Sequence, residues 1–218
     1  MAGIRALLEQ PAPVRWLFAG DSITMGAKHT LGWRSYSEIF AERVRWELNR
    51  RRDIVFNTAV SGWTVADLSA DVEWSVLQFK PHCVSIMLGM NDCTRGGATG
   101  VDGFRDIYLA LIERIRRETG AHILLHTPNW LLPTGGPRHE LLPLYAGAIR
   151  SIAITAEAPL VDHLPEWLVA EEKGVMHHWI GHGCHPNENG HRVLAHALFR
   201  ALGVWDESSW TCRLFIPR

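Results

Sequence analysis

Four short segments of the sequence contain the residue types that acyl transfer requires. A Gly-Asp-Ser run ends at Ser22, a Thr-Ala-Val-Ser-Gly run ends at Gly62, a Gly-Met-Asn-Asp run contains Asn91, and a His-Pro-Asn-Glu-Asn-Gly-His run begins at His185. A serine hydroxyl becomes an effective nucleophile only when a nearby base takes its proton, and imidazole titrates in the useful pH range. The oxyanion formed by the attack needs hydrogen-bond donors already in place, and two backbone N–H groups and an amide side chain can supply them.

Each of these segments also has a purely structural interpretation. Ser22 can cap a helix, Gly62 can permit a positive φ in a turn, Asn91 can form an Asx turn, and His185 can precede a helix that has proline at its first position. For Gly62 and Asn91 taken singly, the structural interpretation is the more frequent one. Taken together, the four segments supply the parts of one reaction.

Apolar runs that predict strands alternate with helical patterns along the chain. Strands are predicted at residues 14–19, 54–58, 84–88, 123–127 and 160–162, and the first four have the continuous apolar character of buried parallel strands. Helical spacing is clearest from Phe104 to Ile115 and is also present from Tyr36 to Leu48 and from Val65 to Val76. This alternation predicts an α/β fold with a parallel sheet covered by helices on both faces. Sites in such sheets form beyond the carboxyl ends of the strands, where the first three segments lie.

The four segments, in this order, closely resemble the signature blocks of the SGNH (GDSL-type) hydrolase superfamily. The resemblance covers nearly the whole chain and implies a three-layer, flavodoxin-like α/β/α sandwich with about five parallel strands. Matched one at a time, Ser22 corresponds to the nucleophile and His185 to its general base. Ser22, Gly62 and Asn91 correspond to the oxyanion-hole residues. The expected domain is residues 1–218, with 203–218 as a C-terminal extension.

The resemblance implies a serine esterase that hydrolyses carboxylic esters with acetyl or other short acyl groups. The reaction proceeds through an acyl-enzyme on Ser22, needs no cofactor or metal, and has a small-molecule ester as its substrate. The alternative is a weak or inactive descendant of this fold that binds a carbohydrate or a protein partner. Neither the acyl nor the alcohol specificity follows from the sequence, and the oligomeric state stays open.

One position departs from the family pattern. The family usually has an aspartate three residues before its catalytic histidine, and here that position is His182. A triad acid accepts the imidazole N–H and stabilises the imidazolium by its negative charge. A neutral His182 can do the first of these but not the second.

Three outcomes follow from this departure. Ser22 and His185 can work as a dyad, with His182 or a backbone carbonyl orienting the imidazole, and this is the outcome that we favour. A carboxylate from elsewhere, either Asp162 or Glu188, can replace the aspartate. Finally, the chain can be a weak or inactive relative.

The composition excludes some classes of partner. A net charge of −1 gives no electrostatic footprint for nucleic acid. Residues 1–14 lack the apolar core of a signal peptide, and no segment is long enough to span a bilayer. The four cysteines show no CxxC pairing and are expected to be reduced. We therefore expect a cytoplasmic protein with no nucleic-acid or membrane partner.

Two further sets of residues have both a functional and a structural interpretation. His177, His178, His182, Cys184 and His185 lie close together and include zinc-ligand types, but their spacing matches no recognised zinc motif. Among the tryptophans, Trp16 and Trp46 are expected in the core, while Trp33, Trp63 and Trp130 follow the site segments and can line a substrate pocket.

Overall fold

A five-stranded parallel sheet forms the centre of the protein, whose computed structural model describes residues 1–97 and 100–218. The strands are β1 (Arg15–Gly20), β2 (Ile54–Asn57), β3 (Cys83–Met87), β4 (His122–His126) and β5 (Leu160–Val161). Their order in the sheet is β2-β1-β3-β4-β5, and every neighbouring pair is parallel. The predicted strands are confirmed within one or two residues at each end.

Helices cover both faces of this sheet. They are α1 (Ala2–Glu9), α2 (Ser22–Met25), α3 (Tyr36–Glu42), α4 (Val65–Ala70), α5 (Val72–Ser75), α6 (Asp92–Gly96), α7 (Val101–Thr119), α8 (Arg138–Thr155), α9 (Leu164–Glu172) and α10 (Glu188–Leu202). Helices α3 and α10 pack on each other in one layer, while α4, α7 and α8 pack together in the other. This is the predicted α/β/α sandwich. In the described residues no helix is long and apolar enough to cross a membrane.

The central strand β3 is buried along its whole length, as its apolar sequence predicts. The prediction of a buried strand was wrong for β2, in which Ile54 is 51% exposed and the next two residues are only half-buried. The physical reason is position, because β2 lies at the edge of the sheet and pairs only with β1. An apolar run does not distinguish an edge strand from a central one.

Two helical patterns differ from their predictions. The pattern from Val65 to Val76 is broken at Asp71 into α4 and α5, although its apolar residues are buried. Helix α3 continues into a π-helical turn, Arg43–Glu47. The wider turn rotates the following side chains, so Trp46 is 64% exposed under the Arg51 guanidinium instead of lying in the core.

Near the carboxyl ends of the sheet strands, an antiparallel pair of short strands precedes α10. Its strands are β6 (Ile180–His182) and β7 (His185–Pro186), and a short 3₁₀ turn, Met176–His178, leads into it. The pair carries His182 and His185 on its two strands. It therefore determines where the imidazole of His185 lies relative to the sheet.

The C-terminal segment 203–218 packs against α3 and α10. Glu47 accepts hydrogen bonds from the side chains of Ser209 and Thr211 and from the Thr211 N–H, and it also pairs with the buried Arg43. Trp205 packs edge-on against His196 of α10. Burial alone would raise the pKa of Glu47, but the donors from Thr211, Ser209 and Arg43 lower it on balance.

We predict that Glu47→Ala lowers the free energy of unfolding by about 3 kcal/mol, because it leaves the Ser209 and Thr211 donors without their acceptor and the buried Arg43 guanidinium without its negatively charged partner. Equilibrium unfolding in urea measures the change. The matched control is Glu113→Ala on the exposed face of α7, for which we expect less than about 0.5 kcal/mol. Equal midpoints for the two variants would contradict this role of Glu47.

Several histidines are kept neutral in the folded protein. Burial is the main cause that lowers the pKa of each, and backbone or charge interactions modify it. The pKa is lowered to about 3 for His163 and His191, to about 4 for His185 and His196, and well below its usual value for His126.

We predict that stability decreases as the pH falls from about 6.5 towards 4. In that range the unfolded chain protonates these five histidines and the folded protein does not, and each contributes about 1.4 kcal/mol per pH unit. The raised pKa values of Asp21, about 7, and Asp92, about 6, act in the opposite direction but involve fewer groups. The urea midpoint at pH 5 should therefore be well below that at pH 7, and equal midpoints would be inconsistent with neutral buried histidines.

Candidate active site

The carboxyl ends of three neighbouring strands present the first three candidate residues. Ser22 follows β1 at the start of α2, Gly62 lies in the loop after β2, and Asn91 lies in the loop between β3 and α6. His185 reaches the same edge from β7, just before α10 begins. The sheet order places β1 between β2 and β3, so the serine lies between the glycine and the asparagine.

The turn at Ser22 is formed by its neighbour Asp21. The Asp21 carboxylate accepts the Ile23 N–H at 2.9 Å and so caps the short helix α2. Gly26 ends that helix in the left-handed conformation. Asp21 is buried, and this burial raises its pKa to about 7. Ser22 is itself 7% exposed at the head of the turn.

Ser22 and His185 are in direct contact. Ser22 Oγ lies 2.9 Å from His185 Nε2, within the range of a good hydrogen bond. The pKa of His185 is lowered to about 4, first by burial and then by electrostatic repulsion from His29, His182 and Arg138. At neutral pH this imidazole is therefore unprotonated and can accept the serine proton.

No carboxylate among the described residues is hydrogen-bonded to His185 Nδ1, where a triad acid would bind. With Nε2 accepting from Ser22, the proton of His185 is on Nδ1, and the nearest side chain there is Cys184, with Sγ at 3.7 Å. The backbone of His182 acts as a hydrogen-bond acceptor that raises the pKa of His185. The His182 imidazole is exposed and makes no hydrogen bond with His185 in the part of the chain that the structure describes.

Neither alternative carboxylate is bonded to His185 among the described residues. Asp162 accepts from Thr127 Oγ1 at 2.9 Å and from the Arg150 guanidinium at 2.8 and 3.1 Å. Glu188 lies in the first turn of α10. A carboxylate already paired with arginine is a poor partner for an imidazolium, so Asp162 does not fill the place of the acid.

Three candidate donors lie on the segments that follow β1, β2 and β3. Within residues 1–97 and 100–218, the backbone N–H groups of Ser22 and Gly62 donate to no protein acceptor. Asn91 Nδ2 donates to the Trp63 carbonyl at 3.0 Å and has its second proton towards Asp21 Oδ2 at a long 3.4 Å. Gly62 has φ +85, a conformation that favours glycine. Such an arrangement can bind an oxyanion.

Asp92 joins the two loops that carry these donors. One carboxylate oxygen accepts the Val65 N–H at 2.8 Å and the other accepts the Gly89 N–H at 2.9 Å. Burial raises its pKa to about 6 despite these hydrogen bonds. Through these two hydrogen bonds Asp92 holds the loop of Asn91 against the start of α4.

Two residues at the site were not found by sequence reasoning. The His29 ring is stacked on the His185 ring, with centroids 3.6 Å apart and planes inclined by 9°. Arg138, the first residue of α8, donates to the Met90 carbonyl at 3.1 Å and lowers the pKa of His185 through its charge. Neither residue belongs to a motif, and no periodic signal indicates either one.

The three tryptophans that were expected to line a pocket differ in how deeply they are buried. Trp130 is buried and its indole N–H donates to Glu171 at 2.5 Å, so it belongs to the core and not to a pocket wall. Trp63 is half-buried and supplies its carbonyl to Asn91. Trp33 is 61% exposed, on the same loop as His29. No group of three or more potential ligands in the described chain is arranged to hold a metal ion.

Comparison with known proteins gives one family. The model of the GDSL-like lipase/acylhydrolase family matches residues 18–193. An acetylxylan esterase of Geobacillus stearothermophilus is 29% identical over 207 residues, which is 86% of this chain and 93% of that protein.

Solved structures show the same fold. An alpha/beta hydrolase enzyme from the metagenome of Lake Arreo, Spain, superposes with a TM-score of 0.75 at 24% identity, covering 92% of this chain and all of that one. A mutant of the Geobacillus acetyl-xylooligosaccharide esterase superposes with a TM-score of 0.72 at 25% identity, covering 87% of this chain and 94% of that one. The three-layer architecture is therefore shared over nearly the full length.

We predict that Gly62→Ala slows the labelling of Ser22 by a serine-directed fluorophosphonate by about tenfold, because a side chain strains the backbone at φ +85 and shifts the N–H. Mass spectrometry of the labelled protein gives the rate. The matched control is Gly174→Ala, which has φ +70, open space around the added methyl group and no place at the site. The same slowing in both variants would mean that general strain, and not the donor, is responsible.

Proposed function

The chain belongs to the GDSL-like lipase/acylhydrolase family of the SGNH hydrolase superfamily and is a carboxylic ester hydrolase, and we propose that it works through an acyl-enzyme on Ser22 with His185 as general base. The observation that carries this proposal is the 2.9 Å contact between Ser22 Oγ and His185 Nε2. A nucleophile and its base within hydrogen-bond reach define the first step of acyl transfer.

In the acylation step, His185 Nε2 takes the proton of Ser22 as Oγ attacks the ester carbonyl carbon. The carbonyl oxygen becomes an oxyanion, which accepts hydrogen bonds from the Ser22 N–H, the Gly62 N–H and Asn91 Nδ2. The tetrahedral intermediate then collapses. Its bond to the alcohol oxygen breaks, and His185 gives the proton to that oxygen, so the alcohol leaves and the acyl group stays on Ser22.

Deacylation repeats the same proton transfers with water. His185 takes a proton from water as the water oxygen attacks the acyl carbon, and the same three donors hold the oxyanion. When the bond to Ser22 Oγ breaks, His185 returns its proton to the serine and the carboxylic acid is released. The imidazole is an imidazolium twice in each cycle, so whatever surrounds it must tolerate that charge.

The neutral resting state of His185 has a cost as well as a benefit. A pKa of about 4 ensures that the base is free at pH 7, but it also makes the imidazolium unfavourable during the reaction. The acceptor at the His182 backbone works against this, since it raises the pKa of His185. We therefore propose a dyad whose imidazole is oriented by backbone, with the His182 side chain dispensable.

We propose an acetylated carbohydrate as the substrate class. The support is the similarity to an acetylxylan esterase over most of both chains. An exposed indole, Trp33, lies on the loop that reaches His185 through His29, and the Arg192 guanidinium lies 5.9 Å from its ring centroid. Aromatic and guanidinium groups at the edge of a site suit the apolar faces and hydroxyls of a sugar ring.

We predict that Ser22→Ala and His185→Ala abolish hydrolysis of p-nitrophenyl acetate and of acetylated xylooligosaccharides, because each removes a member of the dyad. Asn91→Ala should lower kcat by about 10²- to 10³-fold, the usual cost of one oxyanion donor. The kcat/KM of the wild-type protein should rise with pH through about 4, as His185 loses its proton. Product release followed by chromatography measures all three.

The variant His182→Ala is the matched comparison for the site histidines. Because the exposed His182 imidazole makes no hydrogen bond to His185 within the described residues, we expect the turnover of this variant to lie within about threefold of the wild-type value. A loss as large as that in His185→Ala would give the His182 side chain a role in the dyad. Wild-type turnover no higher than that of Ser22→Ala on every ester would remove the proposed mechanism.

A further inference from the structure

We propose that His29 is a positioning residue for His185, holding the face of the catalytic imidazole in a chain that lacks the usual triad aspartate. The inference rests on the proposed function, since it concerns the base of that reaction. It adds a residue that lies outside the four signature segments and outside the place of the missing acid.

The geometry of the stack limits the motion of His185. The two rings are nearly parallel, with centroids 3.6 Å apart and an interplanar angle of 9°. Rotation of the His185 ring about its Cβ–Cγ bond would drive a ring edge into His29. Ser22 Oγ at Nε2 and Cys184 Sγ at Nδ1 hold the ring at two edges, and His29 holds its plane. A triad carboxylate restrains the same ring from the Nδ1 edge alone.

The placement of His29 depends on this contact. In the described parts of the chain its ring nitrogens make no hydrogen bond, and its ring is only partly buried. The ring is therefore located by the stack and by the backbone that carries it.

The loop that carries His29 has a strained backbone. Lys28 has φ +69 and Leu31 has φ +52, which are unfavourable for residues with a Cβ. Between them Thr30 is buried, at 3% exposure. Gly26 begins the loop against Ser35, where an added Cβ would lie 2.5 Å from the serine Cβ. Strain of this kind persists only when surrounding contacts stabilise it, and here it places His29 on His185.

The loop also contacts the β6–β7 pair. A Cβ at Gly181 of β6 would lie 3.4 Å from the His29 carbonyl oxygen, at the short end of ordinary van der Waals contact. The loop and the pair of strands that carries His185 therefore fit closely at this point. Their relative position determines the distance between the two rings.

The charge state of His29 matters to the reaction. It faces Lys28 on its own loop, His182 and His185 on the β6–β7 pair, and His191 on α10. Burial, followed by the charges of Lys28 and His182, lowers the pKa of His29, so the ring is neutral at pH 7. A neutral His29 does not oppose the imidazolium that forms on His185, whereas a protonated His29 would repel it.

The test compares His29→Ala, His29→Phe and a control, His177→Ala, which changes an exposed histidine away from the stack. His29→Ala should lower kcat for p-nitrophenyl acetate by about 10- to 100-fold with little change in KM. The reason is that the substitution removes the restraint on the orientation of His185 but leaves the substrate-binding site intact. His29→Phe retains a flat ring and should recover most of this loss. His177→Ala should match the wild-type protein.

The pH behaviour provides a second readout that a merely structural residue would not move. NMR titration of the His185 ring should give a pKa of about 4 in the wild-type protein and a higher value in His29→Ala, because water reaches the exposed ring face. The acid limb of kcat/KM should move to higher pH by the same amount. Far-UV circular dichroism and the thermal midpoint confirm that each variant is folded.

Three results would overturn the inference. The first is that folded His29→Ala has the wild-type kcat and the wild-type His185 titration. The second is that His29→Ala changes only KM and not kcat. The third is that folded His29→Phe has a kcat as low as that of His29→Ala. Failure of the proposed function looks different, because wild-type protein would then hydrolyse no ester and resist fluorophosphonate labelling at Ser22. The His185 titration decides the role of His29 even in that case.

Discussion

The hydrogen bond between Ser22 and His185 joins residues 163 positions apart, and most of the fold is needed to form it. The serine lies at the end of β1, which pairs with the edge strand β2 on one side and with the buried strand β3 on the other. The histidine lies on a short antiparallel pair that follows the last strand of the sheet. A parallel sheet collects the carboxyl ends of its strands at one edge, which places the donor loops beside the serine. The contact is thus a product of the whole topology, and small shifts of β7 would alter it directly.

Burial at the site favours the uncharged forms of its ionisable groups, which keeps His185 free to accept a proton but makes charged forms unfavourable. The same low-dielectric surroundings that lower the pKa of His185 raise those of Asp21 and Asp92, because each favours the uncharged form. The two acids remain useful because their oxygens accept backbone N–H groups at the turn and at the loops. Elsewhere in the core, Ser85, His126 and His163 form a chain of hydrogen bonds of 2.8 and 3.0 Å, so buried histidines also serve structure in this protein.

The absence of a triad aspartate distributes its tasks among weaker groups. In worked protease cases the loss of this acid costs about 10⁴-fold in kcat, which is about 5 kcal/mol. The chain offers a backbone acceptor at His182, a soft sulfur at Cys184 and the face of His29 around the imidazole. None of these carries a full negative charge. The Asp162 carboxylate, which could supply one, is bonded to Arg150.

The sequence by itself determined the elements of local origin. The apolar runs predicted all five strands, and their alternation with helices predicted the α/β sandwich. The motifs located Ser22, Gly62 and Asn91 after the ends of the first three strands and His185 before the last helix. These features depend on neighbours within about ten residues, which periodicity and turn chemistry describe well. The structure brings Ser22 and His185 into contact, as the resemblance implies.

Only the tertiary structure decided the contacts between distant segments. It placed β2 at the sheet edge, turned Trp46 to solvent through a π-helical turn, paired Asp162 with Arg150, and stacked His29 on His185. Each outcome depends on how whole elements pack and on which charges they bring together. A stacked imidazole has no spacing rule, because its partner lies on a separate loop whose course is determined by packing. Local sequence therefore indicates which groups can react, and packing determines what surrounds them.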